Sequence, residues 1–160
     1  MQMSVTKIAV LFGIVFFLGA CIKKKEFDIV PALSFQSYEV FSSMQGSKSV
    51  PDSAYLTFSF QDGDGDLGSN DSTFMSLHMT YFEDRGNGFV RDSAVADAYV
   101  YVPKLTANGG GKGLEGTFTQ ILKPAPIIDF KSAYPYQWRI VMVDQAGHQS
   151  NIISTPAQSK

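Results

Sequence analysis

The chain has 160 residues, of which 13 are Lys or Arg and 15 are Asp or Glu, with a formal net charge of −2 and a single cysteine. This length is enough for one domain of ordinary size, and the slight acidic excess argues against a nucleic-acid partner, which requires a basic surface. One cysteine cannot form an intramolecular disulfide, so stability must come from the core or from a bound ion.

The first clear pattern in the chain is an N-terminal export signal. An apolar run covers residues 8–20, and the tetrapeptide LGAC, which ends at Cys21, closes it as a lipobox. The run is shorter than the roughly 18–20 apolar residues that cross a bilayer, and lysines follow it at positions 23–25. We therefore predict a cleaved lipoprotein signal peptide over residues 1–20. Lipid, including palmitate, is expected on Cys21.

Residues 21–26 form the predicted tether between lipid and domain. Cleavage removes one basic residue, Lys7, and leaves 12 basic and 15 acidic residues with a net charge of −3. The lysines at 23–25 can lie against anionic headgroups or act as a solvated spacer, and their small number favours the spacer. We expect one domain over residues 27–160, held at the membrane by the N-terminal lipid.

The rest of the chain has the two-residue periodicity of β-strands, and no long helical period follows Cys21. In three predicted strands, apolar inward positions alternate with outward ones: Leu56, Phe58 and Phe60; Met75, Leu77, Met79 and Tyr81; and Trp138, Ile140 and Met142. Gly116–Leu122 is a further β-prone run, and Ile152 and Ile153 belong to the last strand.

Turn-forming clusters separate these runs, at residues 45–47, 62–68, 85–88, 108–113 and 144–147. About seven short strands broken by turns predict an all-β fold, a single antiparallel β-sandwich of immunoglobulin or fibronectin type III character. A small barrel is the alternative. The segment 123–135 contains three prolines, which lack the N–H needed inside a sheet, so we expect it to cross from one sheet to the other.

An acidic, glycine-rich loop directly follows the predicted strand that contains Leu56, Phe58 and Phe60. Its residues give the most specific indication of a binding site in the sequence. Asp62, Asp64 and Asp66 are spaced two residues apart with glycines between them. Carboxylates at this spacing on a tight loop can point at one hard cation, and calcium takes about six to eight oxygen ligands. The loop differs from a twelve-residue calcium loop because Leu67 and Thr73 stand where Gly and Glu are expected. The alternative is a turn held by Asp side chains without an ion.

Further ligands are expected from two places. Asn70 and Asp71 follow the acidic loop closely enough to contribute oxygens. Asp144 begins the connection between the last two predicted strands, which emerges at the same end of a seven-strand sandwich as the acidic loop. We predict weak Ca²⁺ binding by Asp144 and the three loop aspartates, although Asp144 can instead cap its own turn.

Several segments together resemble small cell-envelope lipoproteins of the Bacteroidota that carry a DGDGDLG loop. They are the lipobox, FSFQDGDGDLG at 58–68, LEG at 114–116 and VDQAGHQSN at 143–151. The resemblance covers most of the mature chain and implies an immunoglobulin-like domain in the cell envelope without implying an activity.

The same resemblance bears on location and modification. In that phylum, acidic residues after the lipidated Cys direct lipoproteins to the cell surface, whereas this chain has Ile22 and three lysines there. Ile rather than Asp directly after the Cys resembles outer-membrane sorting in other Gram-negative bacteria, so we expect an outer-membrane lipoprotein, on either the periplasmic or the surface face. The resemblance also implies candidate O-glycosylation at Ser53 and Ser93, each in an Asp-Ser-Ala triplet.

Catalytic motifs are absent from the sequence. His78 and His148 are the only histidines and lack the spacing of a zinc hydrolase, and there is no Gly-x-Ser-x-Gly elbow. We therefore expect a calcium-stabilised structural or interaction module rather than an enzyme, with a glycan-binding lipoprotein of a nutrient-uptake system as the alternative. Tyr99 and Tyr101 are candidates for an exposed aromatic face. An accessible row of rings would favour glycan binding, and a buried row would favour the interaction module.

Overall fold

The computed structural model describes residues 26–106, 113–123 and 134–158. The predicted signal peptide, Cys21, most of the turn at 108–113 and most of the segment 123–135 lie outside these residues. The described residues form eight β-strands: β1 Ala32–Gln45, β2 Lys48–Asp62, β3 Leu77–Asp84, β4 Phe89–Arg91, β5 Ala98–Val100, β6 Leu114–Leu122, β7 Tyr136–Met142 and β8 Ile153–Ser154. Within these ranges, no helical segment has the length and hydropathy needed to cross a bilayer.

The strands form two antiparallel sheets. The first has the order β1-β2-β6, and the second has the order β4-β3-β7-β8 with β5 also paired to β3. β4 pairs with the end of β3, and β5 pairs with its beginning, so both lie along the same side of that strand. The all-β prediction is confirmed, and the described strands form two separate sheets rather than one closed barrel.

The core lies between the two sheets. Alternate residues of β2 from Ala54 to Phe60 are buried, as are alternate residues of β7 from Trp138 to Met142. Residues from both sheets belong to one apolar cluster, and within the second sheet the ring of Tyr81 contacts that of Trp138 with 5.4 Å between centroids. Burial of each large apolar side chain contributes roughly 1.5–3 kcal/mol, so this cluster is the main source of stability.

The structure corrects two parts of the predicted strand pattern. The last strand begins at Ile153, so Ile152 lies outside it and is 60% exposed, and the strand predicted from Met75 begins later. Leu77, Met79 and Tyr81 are buried as expected, but Met75 is 40% exposed. β3 begins only at Leu77 because the preceding chain is in a turn, where the Phe74 N–H donates to the carbonyl of Asp71. The alternation in the sequence therefore extends two residues beyond the strand itself.

Candidate metal centre

Two aspartates meet at one end of the molecule because of strand parity. Asp62 is the last residue of β2 and continues the inward set that includes Phe60. Asp144 follows β7 by two residues and continues the inward set that ends at Met142. Since β2 and β7 belong to different sheets, the two carboxylates enter the space between the sheets, and both residues are fully buried.

Asp64 and Asp66 complete a group of four carboxylates with Asp62 and Asp144. One oxygen from each of the four lies within 4.8 Å of the others. Two oxygens that each lie about 2.4 Å from a shared ion can be no more than ~4.8 Å apart, so this spacing fits a single calcium ion. The structure thus brings together all four residues predicted from the sequence, in an arrangement that can hold a metal ion.

Two oxygens of this group have no hydrogen-bond partner. Oδ1 of Asp62 and Oδ1 of Asp66 are both buried without one. Their other oxygens are occupied, because Oδ2 of Asp62 accepts from the N–H of Asp66 at 3.0 Å and Oδ2 of Asp66 accepts from the N–H of Ala146 at 3.0 Å. A buried anionic oxygen without a partner is unfavourable, and a bound cation would remove that cost.

The electrostatics of the group also favour a positive partner. Burial raises the pKa of Asp62 to about 6, and the nearby Asp64 carboxylate adds to the rise. Burial raises the pKa of Asp66 as well, followed by the negative charge of Asp144. Like charges in a poorly solvated site disfavour ionisation of one another. A divalent cation would reverse both effects by attracting the ionised carboxylates.

Asp144 also caps the turn that follows it. Its Oδ1 accepts from the N–H of His148 at 2.7 Å, and its Oδ2 accepts from Nδ1 of the same residue at 2.8 Å. The hydrogen bond to Asp144 raises the pKa of His148. Each carboxylate oxygen still has a second lone pair, so capping and ion binding are compatible. No role in the site is predicted for His148 from the sequence, and its spacing four residues after Asp144 is the available signal.

Gln145 links the acidic loop to the loop that follows β7 through hydrogen bonds. Its Nε2 donates to the carbonyl of Gly68 at 2.8 Å and to that of Asp66 at 3.2 Å. Between those two residues, Leu67 is fully buried in the core and anchors the loop from the inside. Gly68 has a φ of 70° and lies against the backbone of Pro103, so a side chain there would be strained and would clash. No role for Gln145 was predicted from the sequence.

The first described residues of the chain also contact the acidic loop. The N–H of Gly63 donates to the carbonyl of Asp28 at 2.7 Å. A Cβ at Gly63 would lie 2.7 Å from the carbonyl carbon of Asp28, which is too close for any side chain. The chain therefore enters the domain packed directly against the residue that separates Asp62 from Asp64.

Asn70 and Asp71, the other ligand candidates, lie outside the group of four. Oδ1 of Asp71 accepts from the N–H and the hydroxyl of Thr73 at 2.9 and 2.7 Å. These hydrogen bonds lower the pKa of Asp71, which is exposed. Asn70 is exposed as well. Asp71 thus holds a local turn of its own.

The two candidate glycosylation sites differ in their surroundings. Ser53 is half-buried, and its hydroxyl donates to Oδ1 of Asp52 at 2.9 Å. Ser93 is exposed in a turn where the N–H of Ala94 donates to Oδ1 of Asp92 at 2.9 Å. Of the two predicted sites, Ser93 offers the more accessible hydroxyl.

The predicted aromatic face is not a continuous row. Tyr99 is 57% exposed, whereas Tyr101 is half-buried and its hydroxyl donates to the carbonyl of Ser69 at 2.8 Å. One exposed ring is left, so the row expected for glycan binding is not formed by these two residues.

The geometry of the described residues thus establishes one site with clear chemistry, a group of four aspartates that can hold a metal ion. Its members come from two loops at the same end of the molecule. No family model, curated protein or solved structure matches this chain.

Proposed function

We propose that this protein is a calcium-stabilised, non-catalytic structural or interaction module of the cell envelope, anchored by lipid on Cys21. The observation that carries the calcium assignment is the pair of buried oxygens, Oδ1 of Asp62 and Oδ1 of Asp66, that have no hydrogen-bond partner. They lie in a group of four carboxylates spaced for one ion. A cation would satisfy both oxygens and balance the charge.

Calcium fits this group better than magnesium. All four candidate ligands are carboxylate oxygens, which both ions accept, but the ions differ in size. Magnesium demands near-octahedral geometry at about 2.0–2.1 Å and loses its water reluctantly, whereas calcium takes about six to eight oxygens at about 2.3–2.6 Å. Calcium also accepts irregular geometry, with backbone carbonyls and water filling the remaining positions. Because those ligands are neutral, we expect weak affinity, with Kd of about 10⁻⁴–10⁻³ M.

The position of the site favours a structural role for the ion. Asp62 ends β2 in the first sheet, and Asp144 follows β7 in the second. An ion held by both would link the two sheets at one end of the domain. Asp62 and Asp144 are fully buried, whereas Asp66 is half-buried and Asp64 is exposed, so the ion would have protein on its inner side and solvent on its outer side. We propose that calcium stiffens this end of the domain.

The strand order supports an immunoglobulin-like or fibronectin type III-like sandwich. In such domains the first, second and fifth principal strands share one sheet, and the third, sixth and seventh share the other. Here the first sheet is β1-β2-β6, and β3, β7 and β8 are neighbours in the second. The correspondence holds when the short strands β4 and β5 are taken as additions beside β3, and the fourth strand that such domains place in the first sheet has no counterpart among the described residues. We propose this fold type for residues 27–160.

Thermal unfolding with and without calcium tests the metal site. We expect about 10 mM Ca²⁺ to stabilise the mature chain in detergent by about 1.4–2.7 kcal/mol relative to chelator, given the proposed Kd. This corresponds to a rise of roughly 3–10 °C in Tm. The D64N variant should lose most of the rise because it removes one charged ligand.

The matched control is D71N, which changes an aspartate just beyond the acidic loop. Asn at position 71 keeps an oxygen for Thr73, so the calcium-dependent rise in Tm should match that of the original chain. The assignment is wrong if calcium leaves Tm unchanged, or if D64N and D71N respond alike.

The lipid anchor rests on the lipobox, and Cys21 lies outside the described residues. We propose that the mature protein is an outer-membrane lipoprotein held by two or three acyl chains, which exceed what stable membrane attachment requires. C21S should abolish incorporation of labelled palmitate in the host and move the protein from the membrane fraction to the soluble fraction or to uncleaved precursor. Failure of the original chain to incorporate palmitate would contradict the anchor.

A further inference from the structure

A groove of about 340 Å³ lies on the outer face of the second sheet, away from the metal centre. Its shape follows from strand register. Thr80 of β3 lies opposite Arg139 of β7, and His78, one step back on the same face, lies between Tyr99 of β5 and Val141 of β7. The side chain of Thr80 is short and those of its neighbours are large, so the surface of the sheet has a depression above Thr80. The volume is at the small end of the roughly 300–1,000 Å³ typical of small-molecule sites.

One wall of the groove is aromatic. Tyr99 is 57% exposed, and its ring meets that of His78 edge-on with 4.8 Å between centroids. The contact with His78 limits the motion of the Tyr99 ring, while more than half of the residue's surface stays exposed. A fixed, exposed aromatic face of this kind matches the apolar C–H face of a pyranose ring.

The opposite wall carries a guanidinium held in a defined orientation. Arg139 lies over the ring of Phe82 with its guanidinium carbon 3.9 Å from the ring centroid. The contact with the ring restricts the guanidinium of Arg139, whose N–H donors can bind a carboxylate in bidentate fashion. Among the described residues, no carboxylate forms a salt bridge with Arg139.

The charge of the groove favours an anionic ligand. Of its lining residues, Arg91 and Arg139 are cationic and Asp97 is anionic. Arg91 is bound to Asp97 at 2.8 Å, so these two charges balance and that of Arg139 remains. Thr80 and Gln149 provide uncharged hydrogen-bonding groups along the groove.

We propose that this groove binds a carboxylated pyranose, a uronic acid unit of an acidic glycan. The sugar ring lies against Tyr99, its carboxylate pairs with Arg139, and its hydroxyls reach Thr80 and Gln149. A glycan needs only one such unit in the groove because the rest of the polymer can leave through the open top. The proposal does not depend on calcium binding, since neither Asp62 nor Asp144 lines the groove.

Saturation-transfer NMR on the full mature chain in detergent, at fixed calcium, tests the site with two probes. Methyl glucuronide carries the carboxylate, and methyl glucoside has the same ring without it. We expect the glucuronide to bind about tenfold or more tightly than the glucoside, because charge-assisted hydrogen bonds are roughly twice as strong as neutral ones. R139Q should remove this difference, and Y99A should weaken binding of both probes about tenfold.

The matched control is Y55A, which removes a tyrosine that is 38% exposed on the outer face of the other sheet. It should leave both affinities unchanged, and circular dichroism should show all three variants folded. The proposal is overturned if neither probe receives saturation at millimolar concentration, or if the glucoside binds as well as the glucuronide. It is also overturned if Y99A and Y55A behave alike.

Discussion

Asp62 occupies a position where the strand pattern requires an apolar side chain. It follows Phe58 and Phe60 on the inward face of β2, and it is as fully buried as Phe58. A carboxylate at such a position is costly unless something offsets its charge. Its presence therefore identifies the functional end of the domain more directly than the number of aspartates in the loop.

Replacing Asp62 by Asn should have opposite effects with and without calcium. In chelator, D62N removes a buried charge beside three other carboxylates, and its amide oxygen can still accept from the N–H of Asp66, so Tm should rise by a few degrees. In calcium, the variant should be less stable than the original chain because one charged ligand is lost. Paired melting curves measure both signs, and equal effects in the two buffers would contradict the prediction.

The stability of the metal-free protein should fall as pH rises through about 6. Burial raises the pKa of Asp62 from 3.8 to about 6, so the folded state holds the proton more tightly than the unfolded state, and the stabilisation present at low pH is lost on ionisation. His148 changes the stability in the same direction, because the hydrogen bond to Asp144 raises the pKa of its imidazole in the folded state. Melting in chelator between pH 4 and 8 should show a steeper fall for the original chain than for D62N.

At the scale of elements, the sequence predicted the regular strands β2, β3, β6 and β7 but neither β1 nor the three-residue strand β4. β1 has inward residues Leu33 and Phe35, but a register shift between Phe35 and Ser37 moves the next inward position to Tyr38, and Val40 beyond it is 37% exposed. The bulge adds one residue and reverses the alternation, so a strict two-residue period does not continue through it. β7 has no such shift in its pairing, and its strand was found in full.

The two loops of the metal centre should depend on Gln145. Q145A removes two hydrogen bonds to the carbonyls of Asp66 and Gly68, each worth about 0.5–1.5 kcal/mol. We expect a loss of about 1–2 kcal/mol in unfolding free energy and weaker calcium binding, since Asp66 is then held less firmly. Urea unfolding and a calcium titration measure the two effects. An unchanged affinity would show that Gln145 does not position the site.

At the scale of the whole molecule, the acidic loop could be predicted from the sequence, but the contacts that join it to the loop after β7 could not. The spacing of Asp62, Asp64 and Asp66 is visible in the sequence, and sandwich topology correctly placed Asp144 beside them. The hydrogen bonds that join the two loops of the group link residues 77 to 80 positions apart in the chain, such as the Ala146 N–H to Asp66. Contacts of this range depend on how the two sheets stack, and no local pattern encodes them.

The core formed by the two sheets should make residues 26–160 an independent folding unit. Its one apolar cluster contains residues from both sheets, and the range includes no cysteine. We expect this fragment to be a monomeric β protein under reducing conditions. Circular dichroism and sedimentation check the two properties, and substantial helix or a failure to unfold cooperatively would contradict the prediction.

The contact between Asp28 and Gly63 has a mechanical consequence. Tension applied to the chain before Asp28 passes into the acidic loop through the Gly63 N–H bond before it reaches β1, which starts at Ala32. The loop therefore acts as the first load-bearing element of the domain. With an ion bound to both Asp62 and Asp144, the force would be distributed over both sheets. Without the ion, the force would act mainly to separate β1 from β2.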